Sequence, residues 1–140
     1  MTAKIGINGF GRIGRLNLRA AFTSPELEFV HINEAHGPAA TSAHLLEFDT
    51  VHGHWDHQIT SDADSLTIDG HRITHSQNDT IAATDWSGCD IVLECSGKFR
   101  TPELLQTYFD QGVKKVIVAA PVKEGALNVV VGCNDHLYDP

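Results

Sequence analysis

Cysteine is scarce in this chain of 140 residues, with only Cys89, Cys95 and Cys133. An odd number of cysteines in apolar runs, without Cys-x-x-Cys spacing, argues against a disulfide framework and a structural zinc site, and predicts buried thiols. Positive charge is also short: 10 Lys and Arg against 18 Asp and Glu give a formal net charge of -8. So acidic a chain has no broad cationic face to neutralise a phosphate backbone, which argues against nucleic acid as its main partner. No stretch approaches the roughly 20 apolar residues that span a bilayer, and the opening Met1-Thr2-Ala3-Lys4-Ile5-Gly6 lacks the charged and apolar regions of a signal peptide. A cytoplasmic protein with no membrane partner is expected. Repeats, low-complexity tracts and Ser/Gly-rich linkers are absent as well, so residues 1–140 read as one domain.

What is present is an ordinary globular composition, 41% hydrophobic and 20% charged. Lys4 to Asn8 is a short Ile-rich run, and Arg12 to Phe22 carries a helical stripe of Ile13, Leu16, Leu18, Ala21 and Phe22, closed by Ser24-Pro25. Leu27 to Asn33 follows as a β-branched strand, completing a βαβ unit. Ala39 to Glu47 reads as helix, with Pro38 or Thr41 near its start. Leu66 to Ile68 and Arg72 to Thr74 flank Asp69-Gly70-His71 as a hairpin, an antiparallel insertion. Asp90 to Cys95 and Lys115 to Ala120 are continuous apolar runs typical of buried parallel strands. The helix between them starts at Thr101-Pro102, an N-cap followed by proline at the first helical position. Leu127 to Gly132 is expected to add a last strand. The fold class is α/β: a doubly wound, mostly parallel (Rossmann) sheet with a small antiparallel insertion.

The sharpest motif is Gly9-Phe10-Gly11-Arg12-Ile13-Gly14, a Gly-x-Gly-x-x-Gly between a strand and a helix. There Gly9 allows the tight turn, Gly11 the approach of a pyrophosphate and Gly14 the packing of helix on strand, while the helix amides face the anion. Glu34, at the end of the second strand, is placed to accept hydrogen bonds from the adenosine ribose. A carboxylate there repels a 2′-phosphate by about 4 kcal/mol at about 4 Å and an effective dielectric near 20. The expected cofactor is therefore NAD rather than NADP.

Four stretches carry a family resemblance. Ile7-Asn8-Gly9-Phe10-Gly11-Arg12-Ile13-Gly14-Arg15, His44 to Gly53, Glu94-Cys95-Ser96-Gly97-Lys98-Phe99 and Lys114 to Pro121 resemble, in order and spacing, the phosphorylating glyceraldehyde-3-phosphate dehydrogenases. The resemblance implies cofactor contacts from Arg12 and Ile13 to the phosphates and adenine pocket. It also implies a nicotinamide-ribose loop with Ser96 and Gly97, and an aromatic ring at Phe99, which reads equally as core. With Asn8, Gly9, Gly11 and Glu34 these form the expected cofactor site, joined by Asn78. The family usually has a basic residue where Asn78 falls and a Ser or Thr where Ala119 falls.

The same resemblance implies an enzyme in which the aldehyde forms a thiohemiacetal with a cysteine, hydride passes to NAD, and an inorganic oxyanion attacks the thioester. That cysteine belongs to a Ser-Cys-Thr-Thr-Asn motif beyond the equivalent of Pro140, so the chain is expected to hold NAD but to carry no catalytic residue. Cys95 is the only cysteine to weigh as a substitute nucleophile, and no partner histidine can be placed beside it. A phosphorylated aldehyde would be the partner of the full enzyme, itself expected to be a homo-oligomer. Two sister branches, one oxidising erythrose 4-phosphate and one using arsenate, share these motifs, and a free-standing NAD-binding or interaction module is the alternative of another class. His52, His54 and His57 have a spacing that could hold zinc or nickel, but solvated loop histidines explain it too, and no metal site is expected.

Overall fold

A computed structural model describes residues 2–139. The first βαβ unit is β1 (Ala3–Asn8), α1 (Arg12–Ala21) and β2 (Leu27–Asn33), with β1 and β2 parallel. After α2 (Ala39–Glu47) come the two-residue strands β3 (Phe48–Asp49) and β4 (Gly53–His54), which pair only with each other. Next are β5 (Ile59–Ser61), β6 (Ser65–Ile68) and β7 (His71–Ser76). The turn from β6 to β7 has Asp69 at φ 48° and Gly70 at φ 84°. Positive φ at both central residues matches the twist of the strands and is what an Asp-Gly pair permits. The chain continues through β8 (Ile91–Glu94), α3 (Pro102–Asp110) and β9 (Lys115–Val118).

The main sheet has the order β5-β6-β7-β2-β1-β8-β9. From β7 to β9 all neighbouring pairs are parallel, whereas β6 runs antiparallel to both β5 and β7. Chain order reverses at β1, so a crevice opens beyond the carboxyl ends of β1, β2 and β8. Two cores form. One holds Ile5, Ile7, Leu18, Phe29, Ile32, Leu46 and Ile68, and the other holds Trp86, Val92, Leu105, Tyr108 and Val113. Ile7 and Val92 belong to different cores, which is why the central strands read as continuous apolar runs.

Two expectations are corrected. Leu127 to Gly132 is not a strand, and Leu127, Val129, Val130 and Val131 are exposed. Side chains take its backbone groups instead: Asn134 Oδ1 accepts from Val130 N at 2.6 Å, Asn134 Nδ2 donates to Asn128 O at 2.8 Å, and Asp135 Oδ1 accepts from Gly132 N at 2.8 Å. Local Asn and Asp turn chemistry has displaced the strand that the valines favour. Of the cysteines only Cys89 is buried; Cys95 is half-buried and Cys133, directly after that segment, is exposed. No helix among the described residues is long and apolar enough to cross a membrane.

Candidate functional site

The three glycines of the β1–α1 turn are required by different neighbours. At Gly9, φ is +89° and an added Cβ would stand 2.5 Å from the Cα and N of Ser96, because the turn passes against the chain leaving β8. At Gly14 a Cβ would meet Gly9 O at 2.4 Å. Gly11 differs: its φ of -68° and ψ of -164° are open to any residue, and beyond its two chain neighbours no protein atom lies within 4 Å of the place its Cβ would take. That space lies beside the start of α1, which has no acidic residue in its first turn and no side-chain cap. The leading amides and the positive pole of the helix therefore face an opening that fits a diphosphate, and a side chain at Gly11 would fill it. Arg15 braces the turn by donating from Nη1 to Phe10 O at 2.8 Å.

Glu34 follows β2 directly, so the parallel pairing carries it to the crevice. Its Oε2 accepts from Phe10 N at 2.7 Å and its Oε1 from His36 N at 2.9 Å. An ionised carboxylate has about four acceptor positions, so the contacts that fix Glu34 leave capacity for hydroxyl donors. A cleft of about 230 Å³ brings together Asn8, Gly9, Gly11, Glu34, Asn78, Ser96 and Phe99 of the expected site. Phe99 also packs on the Trp86 core, so it serves both as cleft wall and as core.

The cleft floor is a network of buried polar side chains at the carboxyl ends of the strands. Asn33 Nδ2 donates to Asn8 Oδ1 at 2.8 Å, and Asn8 Nδ2 donates to Glu94 Oε2 at 2.8 Å. Asn33 Oδ1 accepts from Ser76 Oγ and from Asn78 N, tying in the end of β7. Tyr108, on α3, donates to Glu94 Oε2. Ser96 turns both its N–H and its hydroxyl to Glu94 Oε1. Burial, with the charge of Glu94, pushes the Tyr108 phenol far above its usual range and keeps it a neutral donor. Sequence reasoning missed Asn33, Glu94 and Tyr108 as parts of the site. For Asn33 and Glu94 the available signal was a polar or acidic residue closing an apolar strand; Tyr108, within α3, carried none.

Of the expected residues, Arg12, Ile13 and Gly97 lie outside the cleft. Arg12 is exposed, with Nη2 3.5 Å from Asp49, a carboxyl that the amides of His52 and Val51 hold well below the usual carboxylate range. Ile13 is exposed, and Gly97, at φ +74°, shapes the loop after β8 without lining the cleft. The side chain of Asn78 turns away to Ala83 O and Thr84 Oγ1. Cys95 lines the cleft, but burial and then the charge of Glu94 push its thiol up to about 11, a poor nucleophile near neutrality. His52, His54 and His57 disperse to Asp49, Glu47 and Asp69. Among the described residues no group of three or more His, Cys, Asp or Glu is arranged to hold a metal ion.

Residues 3–102 match the family described as "Glyceraldehyde 3-phosphate dehydrogenase, NAD binding domain". The chain is 56% identical over 142 aligned positions to "Glyceraldehyde-3-phosphate dehydrogenase 3" of Nostoc sp., covering 100% of this chain and 42% of that protein. It is 42% identical to "Glyceraldehyde-3-phosphate dehydrogenase" of Pseudomonas aeruginosa over 98% of this chain and 42% of the relative. It is 39% identical to the protein of that name from Geobacillus stearothermophilus, with 100% and 42% covered. The chain thus spans well under half the length of the curated relatives it matches. With its strand order, glycine turn and family match in agreement, the chain belongs to the NAD-binding domain family of glyceraldehyde-3-phosphate dehydrogenase.

Proposed function

We propose that residues 1–140 form the cofactor-binding domain of a phosphorylating glyceraldehyde-3-phosphate dehydrogenase, an NAD-dependent enzyme that oxidises an aldehyde to an acyl phosphate. The observation that carries this reading is the unfilled space at Gly11, flanked by the uncapped start of α1 and by Glu34. The diphosphate would lie on the amides of Gly11, Arg12 and Ile13, and Glu34 would accept from the adenosine ribose while holding Phe10 N. The sequence order of the sheet supports the nicotinamide half lying over Ser96, Gly97 and Phe99, with Asn8 and Gly9 between the halves and Asn78 at the adenine side. Bound NAD supplies the hydride acceptor; this chain supplies its position and electrostatic surroundings. The nucleophile is proposed to lie outside these residues, since burial holds the Cys95 thiol protonated and among the described residues its side-chain partner is Asn17 rather than a histidine. A cytoplasmic, glycolytic, homo-oligomeric full enzyme acting on a phosphorylated aldehyde is the setting this reading implies.

Calorimetric titration of the chain with NAD and NADP in parallel, alongside an aldehyde oxidation assay, tests it. The expected result is saturable NAD binding, much weaker NADP binding and no turnover. Absence of NAD binding would overturn the cofactor role, and turnover by the isolated chain would overturn the placement of the nucleophile.

A further inference from the structure

Beneath the Ser96 end of the cleft lies a carboxylate without a counter-cation. Glu94 is 1% exposed. Its Oε2 receives Asn8 Nδ2 and the Tyr108 hydroxyl, and its Oε1 receives the N–H and hydroxyl of Ser96. Among the described residues no Lys, Arg or His forms an ion pair with it. Four donors and no acceptor around the two oxygens match a carboxylate, which only accepts. Hydrogen-bond dipoles spread such a charge but do not cancel it, and its field reaches further in a poorly solvated interior than in water. Lys98, the cation lining this cleft, is exposed, where water and salt weaken its effect.

The sheet order says which half of a dinucleotide this charge underlies. Glu34 closes β2, on one side of β1, and Glu94 closes β8, on the other. A diphosphate on the β1–α1 turn divides the ligand at β1, so with the adenosine at Glu34 the nicotinamide nucleoside lies on the Glu94 side. The oxidised nicotinamide ring is a pyridinium cation, and the dihydro ring is neutral. We infer that Glu94 determines the oxidation-state preference of this site, its buried negative charge favouring NAD⁺ over NADH. This rests on the cofactor role proposed above. Glu94 touches Ser96 and Asn8 rather than the ring, so it is a positioning and electrostatic residue. Its differential interaction with the two forms is what would shift their relative binding.

The test measures affinities of the 140-residue chain for NAD⁺, NADH and ADP-ribose, which lacks the nicotinamide, in wild type and Glu94→Gln. Wild type should bind NAD⁺ at least as tightly as NADH. In Glu94→Gln the ratio of NAD⁺ to NADH affinity should fall by roughly ten-fold, with NADH and ADP-ribose changing much less. Equal weakening of all three ligands would show a purely structural role and overturn the inference. Should the Gln chain fail to fold, wild type still decides: NADH bound about ten-fold more tightly than NAD⁺ would overturn it. Wild type binding none of the three would instead refute the cofactor role itself.

Discussion

At the scale of single residues the turn separates demands made by the fold from demands made by a ligand. Gly9 is held by its positive φ and by Ser96, so Gly9→Ala should destabilise the chain by about 3 kcal/mol, the range of backbone strain plus a clash. Gly11 has neither constraint, and Gly11→Val should leave the melting temperature within a few degrees while abolishing measurable NAD binding. Thermal melts and titration on the two variants check this pair; a Gly11→Val chain that still binds NAD would mean that the opening is not the diphosphate seat. Glu34→Ala should weaken NAD by roughly 1.5–3 kcal/mol, the worth of hydrogen bonds to a charged group. It should also narrow the preference over NADP, because the repelling carboxylate is gone. Parallel titrations with both nucleotides would read each effect. The substitution frees Phe10 N as well, so part of the loss reflects a looser glycine turn. These candidate residues could be named from the sequence because turn chemistry is local. The contacts of Glu94 and Tyr108 could not: their links to Asn8 cross 86 and 100 positions, and no spacing rule reports a contact that only the tertiary fold creates.

At the scale of elements, apolar runs and turn residues announced β1, α1, β2, the β6–β7 hairpin, β8, α3 and β9. The last apolar run failed because Asn134 and Asp135 take its backbone groups, a choice that hydrophobicity does not record. The β2–β7 pair carries a pH prediction. His31 on β2 bridges Thr74 Oγ1 at 2.7 Å and Ser76 Oγ at 2.9 Å on β7, with its ring edge-on to Trp86. Burial, reinforced by neighbouring His75 and only partly offset by Asp85, lowers its pKa from 6.5 to about 4. Thr74 and Ser76 spend their own hydroxyl protons on Val30 O and Asn33 Oδ1, so the neutral ring donates to one hydroxyl oxygen and its other nitrogen receives no proton from them. The unfolded chain therefore binds a proton that the folded chain refuses between those two values. Stability from this site is complete above pH 6.5 and declines as pH falls toward 4. Allowing for solvent screening of a partly exposed ring, the loss is about 2 kcal/mol. Urea unfolding at pH 7.5 and pH 4.5 should show that drop in wild type and a smaller one in His31→Gln; equal drops would assign the acid sensitivity elsewhere.

At the scale of the molecule, the crevice joins β1, α1, β2, β8 and the end of β7, so a ligand there links parts of the chain far apart in sequence. Binding to the folded state alone stabilises it by about 2.7 kcal/mol at a hundred times the dissociation constant. For a chain of 140 residues that amounts to a rise of about 10 °C in melting temperature. The gain should be unevenly distributed. Residues 119–139 contain no strand and only one short turn of helix, Asp135–Leu137, and are mostly exposed, with Val131 85% accessible, whereas the cleft residues lie on or beside the paired strands. Hydrogen exchange with and without NAD should show slower exchange at Phe10 to Gly14 and at Ser96 to Phe99, with little change from Lys123 to Asn134. A uniform slowing across all 140 residues would mean that the ligand acts by global stabilisation alone. Protection confined to the segment after β9 would place the nucleotide outside the crevice altogether.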